Sequence, residues 1–201
     1  FQITMTKDEE FSDSRAFRWF APEEVDEGVL EYSESENLEN SIKIEAKCKR
    51  TMKPETIFSL GLLSLHKTKI ESEFSAKIEG LKEGKTYWYR VGSRKFNSYS
   101  KVFLFKIPPK SDTLTFLNIA DSQGMVKSDY DTFLKVFNAA VSNVKNIDFV
   151  SHLGDFVDDG NNEDYWDYLL SGDMWKKYPI VPLAGNHEAR VKRAILDNGG
   201  E

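Results

Sequence analysis

The period of this chain changes once, at Ile107-Pro108-Pro109, and that change restricts its architecture more than any other feature. Before it, short runs alternate apolar and polar residues, the period-2 pattern of half-buried strands. The runs are 1–5, 16–20, 28–32, 41–49, 56–65, 69–78, 86–91 and 101–107. Ile42, Ile44, Ala46 and Cys48 are expected on one face of their strand, and Tyr87, Tyr89 and Val91 on one face of theirs. Short strands at this spacing, with turn signals such as Leu81-Lys82-Glu83-Gly84-Lys85, predict an antiparallel sandwich over residues 1–108. The prolines cannot donate ladder hydrogen bonds and hold the chain extended, so they read as a linker.

Beyond the linker, over residues 109–201, the order becomes strand, helix, strand, helix, strand. Strands are expected at 114–120, 147–153 and 180–184. Ser128 with Asp131 reads as a capping-box-like start for the first helix. Its apolar face is then Phe133, Val136, Phe137, Ala140 and Val144. A second helix is expected over 163–170, with Tyr165, Trp166, Leu169 and Leu170 as core. Strands alternating with helices predict a parallel sheet, whose ligands bind at the carboxyl ends of its strands.

Three polar strings occupy those ends: Asp121-Ser122-Gln123, Gly154-Asp155-Phe156-Val157-Asp158 and Gly185-Asn186-His187-Glu188. Asp155 lies 34 positions after Asp121, and Asn186 lies 31 after Asp155, one helix-plus-strand crossover each time. Divalent cations need oxygen or imidazole ligands held at fixed separation on rigid elements. Asp121 offers one carboxylate, Asp155 a carboxylate able to bridge two cations, and Asn186 a neutral carbonyl. Cations about 3.5–4 Å apart clamp an in-line displacement and acidify a bridging water. His187 then reaches the phosphate or the leaving oxygen, and Asp158 holds its imidazole in the useful tautomer as a general acid. Gly154 and Gly185 let the backbone approach closely. The charge balance agrees: residues 1–110 carry 19 basic and 18 acidic groups, residues 111–201 carry 8 and 15. An acidic second half attracts cations and repels nucleic-acid backbones, so no nucleic-acid partner is expected.

In this order, at strand ends, the three strings resemble those of the calcineurin-like metallophosphoesterases. The stretch 78–91 is similar to the strand-turn-strand signature of fibronectin type III-like domains, in which a Leu before the turn and a Tyr after it lock the sheets. Similar sandwiches precede the catalytic domain in purple acid phosphatases. The resemblance implies a fibronectin III-like sandwich followed by the first half of a four-layer αββα domain. It implies that Asp121 ligates metal one, Asp155 bridges, Asn186 ligates metal two, and His187 contacts phosphate. Two divalent or trivalent ions (Fe, Mn, Zn or Mg), a phosphate ester substrate attacked by a metal-bound hydroxide, and an extracytoplasmic setting belong to the same expectation.

The chain departs from the family pattern at three points. Gln123 stands where many members have His, which favours harder cations such as Mg²⁺ or Mn²⁺ at metal one. Asp158 stands where purple acid phosphatases have a Tyr ligand, so no tyrosinate colour is expected. Only His66, His152 and His187 are present, too few for two metal shells. We therefore expect an amino-terminal portion of a longer enzyme, holding about half the site and lacking full activity. The rival is a non-catalytic binding or adhesion module with a degenerate phosphatase half; a nuclease is disfavoured by the acidic second half. No apolar run approaches the roughly 18 residues of a membrane helix. The single Cys48 excludes an internal disulfide and reads as a small core hydrophobe. His152 reads as packed or second-shell, His66 as structural, and Glu188 as fixing its loop. The acidic stretch 23–39 and the basic Arg190 and Arg193 read as solvated.

Overall fold

The computed structural model describes residues 2–6, 13–60 and 63–188, side chains of 54–67 excepted. Nine strands come first: β1 (Ile3–Thr6), β2 (Arg15–Pro22), β3 (Val29–Ser33), β4 (Ile42–Glu45), β5 (Lys47–Leu60), β6 (Leu63–Ile78), β7 (Thr86–Ser93), β8 (Ser98–Tyr99) and β9 (Phe103–Lys106). They make two antiparallel sheets, ordered β1-β2-β6-β5 and β4-β3-β7-β8, with β9 also on β7. Period-2 alternation builds the core between them. Phe17 and Trp19 point in from β2, Tyr87, Tyr89 and Val91 from β7, and all are buried. The Phe17 and Tyr89 rings meet across the sheets with centroids 4.7 Å apart. Leu81 is buried, and Tyr87 Oη accepts the Lys82 N–H at 2.9 Å, which closes the turn between them.

Three expectations for this half are corrected. The run 41–49 is not one strand: it breaks at Ala46, whose N–H donates to Gly28 O at 2.9 Å, and passes from an edge of one sheet to an edge of the other. The crossing resets the alternation, so Cys48 is exposed and not core; Ile42, at the start of the edge strand β4, is exposed too, while Ile44 and Ala46 pack against the core. The run 56–65 spans the end of β5 and the start of β6, which pair as a hairpin. Within the acidic stretch, Glu31 sits buried on β3 and is not solvated; it pairs with Arg90 Nη2 at 2.7 Å.

The second half carries β10 (Phe116–Ile119), α1 (Lys127–Asn143), β11 (Phe149–His152), α2 (Glu163–Leu170), a 3-10 turn (Asp173–Lys176) and β12 (Ile180–Pro182). The three strands form a parallel sheet with β11 in the middle. Its core joins Val150 and Ile180 to Leu169 and Trp175. The buried stripe of α1 is Tyr130, Leu134, Phe137 and Val141; Val136, expected inside, is 64% exposed. Phe137 is buried, and Phe133 and Val144 of the expected face pack against the core. Asp129 accepts the N–H groups of Met125 and Val126, at 3.0 and 3.3 Å, so the helix starts at Lys127 and not at Ser128. Asp131 instead pairs with Lys127 at 2.8 Å.

A buried contact joins the halves: Tyr89 Oη donates to Lys176 O at 2.8 Å. Lys176 Nζ in turn donates to Leu170, Ser171 and Gly172 carbonyls at the end of α2. Burial pushes its ammonium down to about 8, against the pull of Asp173. The Lys101–Asp173 pair at 2.8 Å is exposed and adds little. Tyr89→Phe strips the Lys176 carbonyl of its donor in a dry interface. It is expected to lower stability by about 1–3 kcal/mol, read as a lower urea midpoint at unchanged slope. An unchanged midpoint would show that the bond contributes nothing.

Candidate metal centre

The parallel order of β10, β11 and β12 puts the loops that follow them at one end of the sheet. Their backbones touch. Asp121 N donates to Gly154 O at 3.2 Å, joining the first loop to the second. A Cβ on Gly154 would fall 2.6 Å from Gly185 Cα, and one on Gly185 would strike the Asp155 carboxylate. Only glycine permits that approach. Asp121 and Asp155 both adopt left-handed backbone, with φ of 54° and 53°. That conformation costs a non-glycine residue about 1–2 kcal/mol, so the surroundings must hold it.

The holding groups surround the second loop. Asp155 Oδ1 accepts the His187 N–H at 3.0 Å, tying the second loop to the third. Glu188 accepts from four main-chain N–H groups: Phe156 (2.8 Å) and Val157 (3.2 Å) on Oε1, Asp155 (2.9 Å) and Gly185 (2.8 Å) on Oε2. His187 Nδ1 lies 2.7 Å from the main-chain oxygen of Asp158 and 3.5 Å from its carboxylate. A carbonyl only accepts, so Nδ1 carries the proton and the nearer partner is backbone.

His152, which the sequence places inside the sheet, ties the first loop to the second. It is fully buried, and its Nε2 lies 2.9 Å from Ser122 Oγ. Ser122 Oγ donates to Phe156 O at 2.9 Å, so it accepts from Nε2–H; Nδ1 then accepts the Gly154 N–H at 3.3 Å. Its ring stacks on Phe156 with centroids 3.5 Å apart. Burial pushes the imidazole down to about 4, outweighing Glu188 and Asp155, which keeps it neutral at pH 7. Strand alternation with Val150 is the sequence signal for this residue; nothing local signals Ser122.

The oxygen donors at this end are Asp121, Asp155, Asn186 and Gln123. Asp121 and Asn186 are exposed, while Gln123 Oε1 is buried and has no hydrogen-bond partner among the described residues. A buried orphan oxygen suits a cation, as do the carboxylates carried by the loops at the same end of the sheet. Among the described residues no three His, Cys, Asp or Glu side chains converge to hold a metal by themselves. The donors therefore fit hard cations and leave their shells open. The side chain of His66, and Arg190 and Arg193, lie outside the described residues.

Comparison with known proteins agrees with both halves. The family model "Purple acid Phosphatase, N-terminal domain" matches residues 1–107, and that of the calcineurin-like phosphoesterases matches 114–200. Among solved structures, purple acid phosphatase PPD1 from yellow lupin (Lupinus luteus) seeds superposes with a TM-score of 0.68 at 18% identity. The match covers 94% of this chain and 35% of that one, so this chain spans about a third of the lupin enzyme. At that identity the likeness shows fold alone. Two structures of the sensor domain of the anti-sigma factor RsgI4 in Pseudobacteroides cellulosolvens, 18% and 19% identical, cover 54% and 55% of this chain and 94% and 80% of theirs. Their TM-scores of 0.33 carry no argument. No curated protein matches the chain.

Proposed function

The chain belongs to the purple acid phosphatase family, and on that premise we propose that it is part of a metal-dependent phosphoesterase hydrolysing phosphate mono- or diesters. We assign residues 1–108 to the sandwich and 109–201 to the phosphoesterase portion. One observation carries the reading: the second and third motif loops are joined through Asp155 Oδ1 and His187 N, at 3.0 Å, beside a glycine-glycine backbone contact. That junction supports a bridging role for Asp155 between two ions. Asp121, Asn186 and Gln123 supply the other oxygens.

Bound cations supply Lewis acidity and an acidified water at phosphorus. The chain's own work is to place and to move protons. His187 commits its Nδ1 proton to Asp158, which leaves Nε2 as the atom that takes up a second proton and, from the imidazolium so formed, passes it to the leaving oxygen. Asp158 thereby sets the tautomer, through its carbonyl first and its carboxylate second.

Elemental analysis of the full-length phosphoesterase of which this chain is part, paired with phosphate release from a nitrophenyl monoester, tests the reading. Bound Mn, Fe, Zn or Mg together with turnover is the expected result. Absence of both sinks it and favours a binding module on a phosphatase scaffold. Turnover of single-stranded DNA in place of the monoester would make the chain a nuclease.

A further inference from the structure

Glu188 has no part in the metal or proton roles assigned above, yet its carboxylate sits where the second and third loops meet. The N–H groups of Asp155, Phe156 and Val157 are consecutive and follow a left-handed residue, the geometry of a backbone anion nest. The anion in that nest is the chain's own Glu188. Its Oε2 also takes the Gly185 N–H at 2.8 Å, next to Asn186. One carboxylate thus fixes the backbone of two assigned metal ligands, Asp155 and Asn186, relative to each other.

We propose that Glu188 is the positioning residue of the metal centre, an internal anion whose charge holds the Asp155 and Asn186 loops at ligand spacing. The proposal rests on the metallophosphoesterase reading. Charge is required because of the donor count. A carboxylate offers lone pairs on both oxygens, whereas the amide of a Gln accepts on one and would turn its NH₂ against two N–H groups. Shape alone cannot replace it. Residues that orient metal ligands in this way typically govern affinity by about 10- to 100-fold.

The test is Mn²⁺ binding by calorimetry on the full chain and on E188Q and E188D, with far-UV circular dichroism to show folding. E188Q is expected to bind Mn²⁺ about 10- to 100-fold more weakly, and E188D, which keeps the anion on a shorter arm, to lose less. A role confined to loop stability would lower the melting temperature and leave the affinity of the folded protein untouched. Equal affinity of folded E188Q and the unaltered chain overturns the proposal while leaving the metal reading intact. Should E188Q not fold, E188D decides, and an affinity equal to that of the unaltered chain overturns it. Failure of the unaltered chain to bind Mn²⁺ overturns the metal reading, and this proposal with it.

Discussion

Asp155→Ala in the full-length enzyme of which this chain is part is expected to remove bound metal and to lower kcat by about 10³-fold, equivalent to about 4 kcal/mol of transition-state stabilisation. Two losses combine in that variant. The bridging carboxylate goes, and so does the acceptor of the His187 N–H at 3.0 Å, which removes one of the ties between the third loop and the second. Asp155→Asn separates them. Its amide oxygen still accepts the His187 N–H, but its charge is gone. If charge carries the function, the Asn variant loses metal as fully as the Ala variant while keeping more of its stability. Recovery of metal and turnover in the Asn variant would show that Asp155 acts as a loop tie and not as a ligand. Metal content and turnover near normal in both would remove Asp155 from the centre altogether.

Acidification is expected to destabilise the native state through His152. Its imidazole titrates near 4 in the folded protein against an ordinary value of 6.5. Between those values the unfolded chain binds the proton and the native chain refuses it, so stability falls as pH falls through that window. Above pH 6.5 the contribution is fully present; below about 4 it is spent. The slope is about 1.4 kcal/mol per pH unit, which bounds the loss at about 3 kcal/mol. The chemical cause is specific: protonating Nδ1 turns the acceptor of the Gly154 N–H into a donor facing a donor. Urea midpoints at pH 7.5 and 4.5 for the unaltered chain and His152→Asn measure it. The Asn variant, with an oxygen in place of Nδ1 and no titration, should lose markedly less between the two pH values. Equal losses would acquit His152 and place the acid sensitivity on the carboxylates.

Much of the fold was legible because strand alternation, turn chemistry and strand-helix order are local. Tyr87, Tyr89 and Val91 fell inside as their alternation predicts, and Tyr87 Oη closed the turn that follows Leu81. Where local pattern met a sheet edge it failed in part. Ile44 and Ala46 pack against the core as their alternation predicts, but Ile42 at the start of its edge strand is exposed, and the chain changes sheets at Ala46, so Cys48 loses the phase. On α1 Phe137 is buried and Phe133 and Val144 pack inward as expected, while Val136 faces out. The start of α1 missed by one residue, because the Asp129 carboxylate reaches the Met125 and Val126 N–H groups.

Residue order alone places three donor-bearing loops at one end of one parallel sheet, because strand-helix-strand order with right-handed crossovers leaves no other arrangement. It also sets which atoms those loops carry. How the loops hold one another emerges in the folded chain: the four N–H groups on Glu188, the His152–Ser122–Phe156 chain, and the Asp158 carbonyl on His187. Most of these bonds join atoms some thirty residues apart. Their partners are set by strand register and by two left-handed aspartates, neither of which leaves a periodic trace in the residues themselves.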